Sequence, residues 1–178
     1  MSYNIEWSDQ INVDIHKIKD LEEKWSIHFP QGYVDIVLTH DGSVPYVTNE
    51  HGERGQGVIE VPGKLSWSIQ LLSLIEKEVL GEIITPIELA YHTLVEALPP
   101  KVFPFAINGA GDKFLFDYRV DENEPKIVFQ NHEDVILETE MTDEELEEKS
   151  LEDWQSETLD HVCESFEVFL RLISPRLK

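Results

Sequence analysis

One cysteine, two methionines and 14 basic residues are all that this 178-residue chain contains of those types. A lone Cys163 excludes an intramolecular disulfide, and its place between Val162 and Phe166 points to a buried, inert thiol. No apolar run approaches the length of a bilayer-spanning helix. The first residues, MSYNIEWSDQ, lack the basic and apolar regions of a secretory leader, so the expected setting is cytoplasmic. The scarcity of Lys and Arg is set against 36 Asp and Glu, a formal net charge of −22. Such a charge disfavours nucleic acid and anionic membranes, which it would repel, and suits a basic protein partner.

The spacings that carry catalysis are missing as well. The seven histidines are scattered, with no H-x-x-x-H pair and no cysteine beside them, so no metal site is expected. Ser43 and Ser165 lack a G-x-S-x-G setting. Asn108-Gly109-Ala110-Gly111-Asp112 is followed by a strand pattern rather than a helix and has no closing Lys-Ser/Thr, which rules out a phosphate loop. Asp112 and Asp117 lack EF-hand spacing. No enzyme and no cofactor are expected.

What the chain has is aromatic alternation. Phe103, Phe105 and Ile107 recur at every second position, as do Phe114, Phe116 and Tyr118, on either side of the glycine-bearing 108–112 stretch. That pattern predicts a central β-hairpin, with Gly109 and Gly111 supplying positive φ and Asp112 bonding turn amides. Lys126, Ile127, Val128, Phe129 and Gln130 predict a further strand, and 135–139 a short edge strand. Ile15, Ile18, Leu21 and Trp25 predict an amphipathic helix over 14–28 with Asp14 or Asn12 as its cap. Pro30 opens a second helix over 30–39 that Asp41-Gly42 ends. The polar, glycine-interrupted 43–62 stretch reads as a mobile loop with short strands at 44–48 and 58–61. Alternation over 66–71 predicts one strand, and 72–80 a short helix ended by Gly81.

Three caps are also legible. Thr85-Pro86-Ile87-Glu88 has the form of a capping box with Pro at the first helical position, opening a helix that Pro99-Pro100 stops. Thr142-Asp143-Glu144-Glu145 repeats the capping box ahead of a short acidic helix reaching Lys149. Ser165 precedes a last helix with Phe166, Phe169, Leu170 and Ile173 on its buried face. With no repeat and no linker, one domain spanning 1–178, with its core over about 14–174, is the economical expectation. Its class is α+β: a central, mainly antiparallel sheet with an N-terminal helix pair, a middle helix and a C-terminal helix packed around it.

Three blocks of residues occur together in order. The first is the Ile15 to Trp25 helix with Phe29-Pro30, Tyr33 and Asp41-Gly42. Next come Leu98-Pro99-Pro100, Pro104-Phe105-Ala106, Gly109, Gly111-Asp112 and Phe116-Asp117. Ser165-Phe166-Glu167 with Phe169-Leu170 closes the series. This arrangement resembles the SUKH superfamily, which contains the yeast cell-wall-assembly regulator of the Smi/Knr type and many bacterial immunity proteins. The resemblance marks Pro104, Gly109, Gly111, Asp112 and Asp117 as residues of the structural motif, and it implies no catalytic residues. It implies a protein-binding function, foremost neutralisation of a cognate polymorphic toxin, often a nuclease. An intracellular regulatory scaffold binding an endogenous partner is the alternative. The neighbouring gene would discriminate between them. The chain departs from the family pattern in a longer, more acidic segment over 141–160.

That segment belongs to an acidic run. Between Glu133 and Asp160 stand thirteen acidic residues and one basic residue, Lys149. A solvated face is the ordinary reading of a charge run, but this density costs stability by self-repulsion, which a cationic partner would relieve. Asp143, Glu144, Glu145, Glu147 and Glu148 are the candidate partner-binding residues.

Overall fold

A computed structural model describes residues 4–79 and 81–176. The chain begins with strand β1 (Asn4–Trp7), then helices α1 (Ile15–Trp25) and α2 (Gln31–His40). Asp14 caps α1 by accepting the His16 N–H at 2.9 Å, and the helix ends at Trp25 because Ser26 turns left-handed, φ 55°. Tyr33, Val34 and Val37 are the buried positions of α2, and Gly42 follows it at φ 66°.

Strands β2 (Pro45–Thr48) and β3 (Arg54–Glu60) form an antiparallel pair. Of the three glycines expected to interrupt a mobile loop, Gly52 lies in the turn before β3 at φ 79°, but Gly55 and Gly57 lie in β3, where neighbouring chain passes too closely for a side chain. A Cβ on Gly55 would stand 2.5 Å from the Arg176 carbonyl oxygen, and one on Gly57 2.7 Å from Ile173 Cγ2. The alternating 66–71 stretch is two strands: β4 (Ser66–Ser68) pairs with β3, and β5 (Gln70–Leu71) pairs with Ala106 and Ile107 in a different sheet. The chain changes sheets at the fully buried Ile69.

The helix expected over 72–80 is not formed; Leu80 itself lies outside the described residues. Strands β6 (Lys77–Val79) and β7 (Glu82–Ile84) form a hairpin turning at Gly81. Helix α3 (Ile87–Leu94) follows, and its cap position is Pro86, which makes no side-chain bond. The capping box expected at Thr85 is therefore absent. Backbone bonding to the Ser73 strand bridge takes its place: the Ser73 N–H donates to the Thr85 carbonyl and the Ile87 N–H to the Ser73 carbonyl.

Strands β8 (Val102–Ile107), β9 (Lys113–Asp117) and β10 (Lys126–Gln130) form the predicted centre. The register shifts by one residue between Pro104 and Ala106. Proline is tolerated there because a bulge relaxes the ladder, and the shift pairs Ile107 with Lys113 instead of extending the phenylalanine face. In the turn only Gly111 has positive φ, 98°; Gly109 does not. Asn108 rather than Asp112 receives the turn amides, its Oδ1 accepting from Ala110 and Asp112 at 2.9 Å each.

Residues 135–139 form no strand; a 3-10 turn, Glu138–Glu140, leads instead to α4 (Asp143–Glu148) and α5 (Leu151–Glu157). Strand β11 (Leu159–Cys163), helix α6 (Phe166–Leu172) and strand β12 (Ser174–Pro175) complete the chain. Among the described residues two five-stranded antiparallel sheets result, ordered β1-β2-β3-β12 (with β4 also on β3) and β11-β10-β9-β8-β5, beside the β6–β7 hairpin; with six α-helices they make an α+β fold.

One face of the second sheet carries the main core. Phe105 stacks on Phe116 at 4.3 Å, with Tyr33, Phe166 and Phe169 edge-on around them. The opposite face bears a smaller cluster of Leu98, Val102, Leu115 and Val128, bordered by Leu94 and Leu159. Both faces of β8–β10 are thus dry, as the nearly unbroken apolar run in those strands requires. Leu98 carries that second cluster out to the surface beside α5.

Candidate functional site: an acidic helical corner

The acidic run leaves β10, passes through α4 and α5 and returns as β11. The capping box expected at Thr142 is present. Its Oγ1 accepts the Glu145 N–H at 3.3 Å, while Glu145 Oε2 accepts the Thr142 N–H at 2.8 Å. The Thr142 N–H and the Thr142 hydroxyl, both donating to Glu145 Oε2, hold that carboxyl below its usual range. Helix α4 is pinned to α5 by Trp154, whose indole N–H donates to the Glu145 carbonyl at 3.1 Å. Lys149 closes the corner by pairing with Glu157 and lying 4.5 Å over the Trp154 ring.

That architecture leaves Asp143, Glu144, Glu145, Glu147 and Glu148 together on one short helix, all but one of its six positions being exposed. Of the thirteen carboxylates, Asp134 and Asp160 share Lys64, at 3.6 and 2.7 Å, and Glu157 takes Lys149. Among the described residues the other ten make no ion pair. The sequence shows one continuous acidic run; the fold divides it into an internally neutralised base and an uncompensated outer face.

The motif residues lie elsewhere and hold the scaffold. Asp112 is 1% exposed; its Oδ1 accepts from the His132 N–H (3.0 Å) and ring Nδ1 (2.6 Å), and its Oδ2 from Asn108 Nδ2 (2.8 Å). Burial opposes ionisation there, but the bonds from His132 and Asn108 prevail and hold the carboxyl below its usual range. Asp112 thereby fastens the β8–β9 turn to the chain leaving β10. Asp117 accepts a two-pronged contact from Arg119, at 2.8 and 2.7 Å, and the same guanidinium reaches Ser156 Oγ on α5 at 2.5 Å. Asp117 thus links the central sheet to the acidic corner. Pro104 sits at the bulge of β8.

Among the described residues no group of three or more His, Cys, Asp or Glu is placed to hold a metal ion, and no helix is long and apolar enough to cross a membrane. Burial pushes the Cys163 thiol up to about 12, which removes its reactivity as a thiolate.

The SMI1 / KNR4 family (SUKH-1) matches residues 12–172. The chain belongs to this family. A comparison with curated proteins finds no match. The SUKH match covers the Tyr33 and Phe105 core, the Asp112 and Asp117 motif and the whole acidic corner. The acidic corner therefore lies within the matched region, anchored to the sheet through Arg119, while Trp154 holds its two helices together. One contributor is invisible in the sequence: Gln155, 3% exposed, whose amide donates to the carbonyls of Glu96 (2.8 Å) and Ile136 (3.3 Å). No spacing or motif distinguishes that glutamine from a surface one.

Proposed function

We propose that the chain is a single, non-catalytic SUKH domain that works in the cytoplasm as an immunity protein, binding and neutralising a cognate basic toxin. The observation that carries this reading is the outer acidic face: ten carboxylates without ion pairs among the described residues, including the five on α4, on a fold of the SUKH-1 family. An uncompensated field of one sign accelerates encounter with a partner of the other sign and suppresses wrong partners. A nuclease toxin fits because its cleft is basic to hold phosphates, so an acidic protein competes for the same charges. Binding Asp143, Glu144, Glu145, Glu147 and Glu148 to that cleft relieves the self-repulsion of the corner. Co-expression is the test: the chain should restore growth of cells producing the basic toxin domain encoded beside it. A SUKH protein paired with an unrelated toxin should not. Growth arrest that persists despite soluble chain would sink the immunity reading and favour the regulatory scaffold.

A further inference from the structure

A groove of about 560 Å³ opens beside the acidic corner, between the 3-10 turn Val95–Ala97 with its following prolines and helix α5. Its apolar lining comes from Val95, Leu98, Leu137 and Leu151. Glu96, Glu138 and Glu152 line it too, all exposed, and no described basic residue does.

Two buried amides build this groove. Gln155 commits both hydrogens of its side-chain amide to the carbonyls of Glu96 and Ile136, which belong to opposite walls. Behind it, Gln130 Nε2 donates to Thr158 Oγ1 at 3.1 Å and reaches the Ala97 carbonyl at 3.5 Å. Segments about forty residues apart in sequence are thus held in fixed relation before anything binds, which lowers the ordering cost of association. Leu98 roots the apolar lining in the sheet through Val102, Leu115 and Val128.

We propose that this groove docks a cationic segment of a partner protein that also carries aliphatic side chains. Its aliphatic groups lie against Val95, Leu98, Leu137 and Leu151, and its lysines or arginines face Glu96, Glu138 and Glu152. Charge selects this occupant. A second copy of the chain brings a net charge of −22 to an acidic rim, and anionic ligands and nucleic acid are repelled likewise. The glutamates set encounter and register; the apolar lining supplies affinity through water released from both surfaces. The inference rests on the binding role proposed above and names where the partner seats.

The experiment uses the full chain with isotope-labelled methyl groups and three synthetic peptides of about a dozen residues. One mixes leucine and lysine in helical spacing, one replaces its leucines by serine, and one replaces its lysines by glutamate. The leucine–lysine peptide should shift the methyls of Val95, Leu98, Leu137 and Leu151. It should bind about tenfold or more tighter than the serine–lysine peptide, the effect of burying one or two aliphatic side chains. The leucine–glutamate peptide should not bind. Val95 is 42% exposed, so Val95→Arg is tolerated by the fold and should abolish the preference for leucine. Equal binding of the two lysine peptides, or methyl shifts confined to other parts of the molecule, would overturn the inference. The peptides contain no toxin sequence, so the outcome is independent of growth rescue. Rescue without peptide seating removes the groove and keeps neutralisation; seating without rescue keeps the groove and removes the toxin.

Discussion

Asp112 ties the central hairpin to the chain leaving β10, and its removal can be costed bond by bond. Two of its three partners are buried or backbone donors, Asn108 Nδ2 at 2.8 Å and the His132 N–H at 3.0 Å. Bonds to a charged acceptor contribute about 1.5–3 kcal/mol each. The third, from the His132 ring, lies on a side chain 52% exposed and contributes less than about 1 kcal/mol. Asp112→Ala should therefore destabilise the fold by about 3–7 kcal/mol, measured by urea unfolding at pH 7. Asp112→Asn keeps the shape and removes the charge, which gives a pH test. The folded-state carboxyl is held below its usual range, so its contribution is fully present above the unfolded value of about 3.9 and is lost as pH falls through the folded value. The stability difference between wild type and Asp112→Asn should be level from pH 7 to about 5 and shrink toward about pH 3. A difference that stays constant over that whole range would show that the network does not favour the ionised carboxyl, and the reasoning would be wrong.

The remaining stability predictions concern two glycines. Gly111→Val forces a β-branched residue to φ 98° and should cost about 1–3 kcal/mol, seen as a lower thermal midpoint; an unchanged midpoint would mean the turn relaxes freely. Gly55→Ala places a Cβ against the Arg176 carbonyl and should release β12, so amide exchange at Val58 and Arg176 should accelerate while β8–β10 stays protected. Unaltered exchange at Arg176 would contradict that packing.

Legibility in the sequence follows the density of side-chain signal. Strands β8–β10 carry Phe103, Phe105, Phe114, Phe116, Ile127 and Phe129, so their period of two is plain from the residues alone. The Thr142 and Ser165 caps are legible because their bonding is local. The Thr85 cap fails because a strand bridge at Ser73 sets the backbone there, a contact between segments that local pattern cannot carry. Lys77 to Ile84 misleads because charged and apolar residues mix there as they do on a short helix, whereas Gly81 marks a hairpin. Strands β1, β11 and β12 are short pieces recruited by pairing, and α5 is hidden inside the acidic run. For the acidic site the sequence shows the charges but not their partition, since Lys64 reaches Asp134 and Asp160 from far along the chain. The groove is illegible for the same reason: Gln155 joins residues that only the fold makes neighbours.

The central claim is that the outer acidic face steers a basic partner, and rapid-mixing kinetics tests it most directly. The variant is Glu144→Gln, Glu145→Gln, Glu147→Gln and Glu148→Gln combined. Glutamine at 145 keeps the capping box, and none of the four carboxylates makes an ion pair among the described residues, so the fold should persist or gain slightly. Exposed charges act over a Debye length of about 8 Å at physiological salt, so they govern encounter more than the final contact. Mixed with a basic toxin domain against which the chain restores growth, the variant should associate about tenfold or more slowly than wild type at low salt. The gap should close at high salt, with dissociation little changed. Equal association rates at both salt concentrations would show that the acidic corner is only a solvated surface.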